Sequence, residues 1–361
     1  MVIMNSCKHD HDKVQDVLVP GRILAGYPFN HPNADVILRS SGDKPVDFFV
    51  FKLLLTLASP FFELLLSLPQ PQQTTIHDIP VIQMAEDKDT LKLVLGFCLP
   101  ISMAESPRLS SLHELQMVLK AAIKLEMEGI QRYVRRELLE PRFIESQPLR
   151  VFAIACHYGW LAEAKKAARF TLRHPVNTSL IDELDLITAA TYYRLQEYHR
   201  ECGEIAASRT VLLARRPAMD DDWVWLRCLT CNRAASYSWW RKDNPSSPAV
   251  PKWWVDWMDS VARQLRRIPW GETVKKWDLM NTAIIRAKDC SYCGKKAEGD
   301  LEAFSRIIAV DIEKHISMAS PWLLVPMTVL MVCLKVTMDL GDSEHEGHSS
   351  EDNETDWRSC E

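Results

Sequence analysis

The chain has 361 residues, 47% of them hydrophobic and 25% charged, a globular composition that excludes a wholly disordered, collagenous or low-complexity protein and suggests about two domains. The formal net charge of −5 hides a split: residues 336–361 hold nine acids against one base, Arg358, a net −8, so the remainder stands at +3. A near-neutral body excludes a strongly basic nucleic-acid binder as a whole-chain property.

Residues 1–29 read as a flexible polar lead-in with Pro20, Gly21, Gly26 and Pro28. Its opening, MVIMNSCKHDHDKVQ, has no apolar stretch behind a basic one, so no secretory signal is expected and the compartment is expected to be cytoplasmic or nuclear. Residues 34–40 alternate as a strand, Ser41 to Pro45 is turn chemistry, and residues 46–51 form a second strand, giving a hairpin. Lys52 to Leu68 reads as two short helices broken before Pro60, with Ser59 capping the second and Pro60 at its first position. Only Lys52 and Glu63 are charged in this run, so most of its Leu, Phe and Ala side chains are expected in a core. Residues 69–80 are a Pro/Gln-rich loop, Val81–Met84 a short strand, and Asp87 or Asp89 caps a helix that runs to Cys98 before Pro100.

Helices follow. Leu112, Leu115, Val118, Leu119, Ala122 and Ile123 repeat at helical spacing, as do Leu149, Phe152, Ala153, Cys156, Trp160, Ala164 and Ala167 between Pro148 and Arg173. Leu184 to Ala207 is a further helical stretch. From Ile316 to Leu334 no residue is charged, yet Pro321, Pro326 and interspersed Ser and Thr argue for a buried segment over a membrane span. The tail 336–361 is acidic, nearly free of aliphatic residues, and expected to be disordered.

The order of these N-terminal elements resembles the BTB/POZ domain across residues 30–130. Ala34-Asp35-Val36 is similar to that family's first core strand, and Lys52 through Phe62 to its H-K-x-x-L-x-x-x-S-x-x-F signature, with Phe51 in place of the histidine. Ala121-Ala122 through Gly129 resembles its later helix pair, and residues 148–207 resemble the helical extension of fungal BTB proteins. The resemblance implies an α+β N-terminal domain with a mostly α-helical C-terminal extension. It implies a protein-interaction adaptor without catalytic residues that forms homodimers and recruits protein partners. It places Asp35 and Lys52 by a ligand or dimer groove; locally, Asp35 is equally suited to capping and Lys52 to solvation. A cullin ubiquitin ligase partner would be expected to need an apolar-x-Glu element, but residues 68–73 carry no acid, and the nearest match is Met84-Ala85-Glu86.

Four of the ten cysteines form two C-x-x-C pairs, Cys228/Cys231 and Cys290/Cys293, separated by 58 residues. Four thiolates in two such turns can build a structural zinc site, and Gly294 suits the turn after the second pair. The spacing exceeds that of common zinc ribbons, so a redox pair or two unrelated pairs stay open. Residues 211–335 read as one Trp/Cys-rich helical module: nine of the twelve tryptophans lie between Trp223 and Trp277, seven of them between the two pairs, and a loop with so many indoles can make a small core of its own, with a metal closing its base. Arg227, Arg233, Arg241, Lys242, Lys252, Arg263, Arg266 and Arg267 interleave with them, which keeps a nucleic-acid-associated function as the alternative. No catalytic constellation is compelled: Cys156, His157, Asp182, Glu183 and Cys202 share no motif, and no phosphate-binding glycine loop occurs.

Overall fold

A computed structural model of the chain describes residues 23–68, 75–76, 78–175, 180–215, 222–231 and 250–319. The fold is mixed α and β. It divides into two compact units, the first running to Val151 and the second starting at Phe152. The division falls just inside the stretch 148–207 that resembles a helical extension.

The first unit holds a five-stranded sheet of β1 (Ile23–Leu24), β2 (Val36–Arg39), β3 (Val46–Val50), β4 (Thr75–Ile76) and β5 (Ile79–Gln83), in the order β1-β3-β2-β5-β4. β2 and β3 form the expected antiparallel hairpin, with Ile37 opposite Phe49 and Arg39 opposite Asp47. Val36, Ile37 and Leu38 are all fully buried, so β2 is covered on both faces. β5 lies parallel to β2. Two-residue strands close the edges: β1 pairs with β3 and β4 with β5. Both fall in stretches whose composition reads as lead-in or loop, because so short a strand is defined by its partner and not by its own periodicity.

α1 (Lys52–Ala58) and α2 (Pro60–Ser67) break at Ser59 as expected. The Ser59 hydroxyl accepts the Phe62 N–H at 3.1 Å and donates to the Leu125 carbonyl at 2.5 Å. The expectation that most apolar side chains of this run lie in the core is overturned. Leu55 and Phe62 are buried, whereas Leu53, Leu57, Leu64 and Leu68 are 66%, 77%, 62% and 51% exposed. Helices of seven and eight residues have one face to offer the sheet, and these leucines occupy the others.

α3 (Lys88–Cys98) starts at Asp87, whose carboxylate accepts the N–H groups of Asp89 and Thr90. α4 (Leu112–Lys124) and α5 (Glu128–Glu137) follow, joined through Glu126 in the left-handed region at φ 53°. α6 (Pro141–Ile144) leads into α7 (Pro148–His157), in which the two units divide.

Helical periodicity from Pro148 to Arg173 is interrupted. Gly159, at φ 69°, ends α7 and re-aims the chain into α8 (Leu161–Thr171). A 3₁₀ turn at Asp182–Leu186 precedes α9 (Ala189–Arg215), so the Leu184–Ala207 stretch starts later and runs further than its pattern indicates. Then come α10 (Val224–Arg227), α11 (Lys252–Arg267), a 3₁₀ turn (Gly271–Lys275), α12 (Trp277–Ala287) and α13 (Cys293–Met318). α9 and α11 pack closely at Gly203, where a Cβ would stand 2.9 Å from the Arg266 carbonyl oxygen. α13 buries Ala297, Leu301, Phe304, Ile308, Ile312 and Ile316 along one stripe.

The indoles form part of this core. Trp225 stacks between Trp223 at 5.1 Å and Trp254 at 5.7 Å, and Phe304 of α13 lies 5.3 Å from it. The tryptophan-rich stretch therefore does not make a core alone; α13 supplies a wall. Trp239 and Trp240, most of the run 316–334 and the whole tail 336–361 lie outside the described residues. Among the described residues no helix is long and apolar enough to cross a membrane.

Candidate metal centre

The two C-x-x-C pairs are brought together within the second unit. Cys228 ends α10, its N–H bonded to the Val224 carbonyl at 3.1 Å. The start of α10 is held in turn by Asp300 of α13, whose carboxylate accepts the Val224 N–H at 2.7 Å. Cys290 follows α12, its N–H on the Ala287 carbonyl at 3.1 Å, and Cys293 opens α13. Three helix ends thus converge on one point.

All four sulfurs lie within 4.8 Å of one another. Cys228 Sγ is 3.7 Å from Cys290 Sγ, and Cys293 Sγ is 3.9 Å from Cys231 Sγ. A tetrahedral zinc with Zn–S bonds of about 2.3 Å has sulfur–sulfur edges of about 3.8 Å. Both contacts match that edge and are far too long for a disulfide. Cys228, Cys290 and Cys293 are buried, and Cys231 is half-buried.

The thiols differ in how readily they ionise. Burial pushes the Cys231 thiol up to about 12 and raises Cys293 as well. Cys290 goes the other way, to about 7, because the Cys293 backbone N–H supports its thiolate. The Cys231 N–H likewise faces Cys228 Sγ at 3.4 Å. Backbone amides so placed stabilise sulfur anions, and a cation among the four would offset the cost of burying them. The set has four protein ligands and so no open position, which is the pattern of a structural site. Gly294 is not the left-handed turn residue expected of it: positive φ falls at Gly42 and Gly159 among the described glycines. Its smallness instead admits the Lys288 backbone, whose Cα would lie 3.1 Å from a Cβ there.

Asp35 and Lys52 are engaged with each other. The Lys52 backbone N–H donates to Asp35 Oδ1 at 2.7 Å, so an aspartate from before β2 caps α1. Asp35 is exposed and the Lys52 side chain half-buried. Phe51, which stands where the signature has a histidine, packs against the His31 ring at 5.2 Å. Glu86, the nearest match to an acidic docking element, is buried and paired with Lys124 at 2.8 Å, so its carboxylate faces inward.

The remaining candidates are scattered. Burial holds both the Cys156 and Cys202 thiols up at about 12, the opposite of nucleophile activation. His157 contacts the Leu186 carbonyl at 3.3 Å. Trp225, Trp253, Trp254 and Trp257 are buried, which removes them as base-stacking surfaces. Arg266 pairs with Glu204 at 3.1 Å and Arg227 with Asp222 at 2.7 Å; Arg233, Arg241 and Lys242 lie outside the described residues.

No protein-family model matches the chain, and no curated protein matches it.

Proposed function

We propose that the chain is a protein-interaction adaptor whose first unit is a BTB/POZ-type domain that forms homodimers and recruits protein partners. The observation that carries this reading is the exposed leucine face of α1 and α2. Leu53 and Leu57 are four residues apart on one helix face, Leu64 is exposed on the next helix, and Leu68 is exposed where the chain leaves that helix in extended conformation. Several large apolar side chains left exposed on adjoining elements favour an association site. Its short helices are held from below by the Asp35 cap and by Ser59, so the surface is presented on rigid elements.

Multi-angle light scattering on the full chain tests this. A dimer is expected, and Leu53→Glu with Leu57→Glu gives a monomer with an unchanged circular dichroism spectrum. A wild-type chain that is monomeric at tens of micromolar and retains no partner in affinity purification overturns it.

For the second unit, we infer that the metal is zinc and its role structural. Four thiolates in a closed tetrahedral set favour zinc over harder cations. Elemental analysis is expected to give one zinc per chain, lost in Cys228→Ser and Cys290→Ser. A folded, reduced, metal-free chain that takes up no zinc refutes the assignment.

A further inference from the structure

We draw no further inference here: the strongest candidate, the cleft of about 340 Å³ between α11 and α12 lined by Trp253, Trp257 and Asp278, carries nothing, because its two arginines are already bonded within that pair of helices, Arg286 to Asp256 at 2.6 Å and Arg263 to the Ser260 hydroxyl at 3.1 Å, and nothing in the structure shows what would fill it.

Discussion

Two glycine-to-alanine changes in long helices of the second unit should move stability in opposite directions. In an open helix interior, alanine is favoured over glycine by about 1 kcal/mol. Gly299, in α13, has nothing within 4 Å of where its Cβ would sit, so Gly299→Ala should gain up to that amount. Gly203, in α9, meets the Arg266 backbone, with the carbonyl oxygen at 2.9 Å, Cα at 3.1 Å and the carbonyl carbon at 3.3 Å. These are main-chain atoms of α11, which cannot rotate away, so the two helices must separate by several tenths of an ångström. Overpacking of this kind costs about 1–3 kcal/mol, and the lost contact also strains the Arg266–Glu204 pair. After the helix gain is set against it, Gly203→Ala should be destabilising by about 0–2 kcal/mol, a fall of up to about 8 °C in the melting midpoint of a unit this size. Urea titration of both variants and the parent, followed by circular dichroism with calorimetry alongside, measures the two signs. If Gly203→Ala is stabilised as much as Gly299→Ala is, the close approach of α9 and α11 is wrong.

Other consequences can be measured on the same chain. Asp47→Ala should cost about 2–3 kcal/mol, because it strips the bidentate partner from Arg39, now held at 2.6 and 2.8 Å on the β2–β3 pair; the urea midpoint of the first unit reports it. His199 is 2% exposed, its Nε2 against the His174 carbonyl at 3.0 Å, and burial lowers its pKa. The unfolded chain therefore takes the proton first, so this contribution is intact above about pH 6.5 and fades as pH falls through the native value. Comparing urea midpoints at neutral and mildly acidic pH should show a loss that His199→Gln reduces. If the four cysteines hold zinc as proposed, stripping it with a chelator should lower the calorimetric transition of the second unit by about 10 °C, the equivalent of about 4 kcal/mol when free zinc exceeds its dissociation constant a thousandfold; an unmoved transition in a zinc-free sample would refute a structural role.

The features legible in the sequence are those with a local cause. The 34–51 hairpin follows from alternation and its turn, the helix break from Ser59-Pro60, and the α3 start from Asp87. Each is decided by residues within one or two turns. The cysteine tetrad was half legible: two C-x-x-C turns announce ligand chemistry, but only α10, α12 and α13 ending at one point join them. What stayed hidden was set by distant partners. β1 and β4 exist because β3 and β5 lie beside them. Leu53, Leu57 and Leu64 look like core, since an apolar run says nothing about how many of its faces the fold can cover. Phe304 bears no mark of its role against Trp225 beyond its place in a helical stripe.

The tryptophan distribution has a practical outcome. Every one of the twelve lies at Trp160 or later, and the first unit has none. Nature has in effect labelled one half of the molecule and left the other dark. Indole emission, excited at the red edge of the absorption band, follows the second unit within the intact polypeptide, while far-ultraviolet dichroism sees both. Unfolding of the two halves can then be separated optically, with no need to cut the chain or attach a dye.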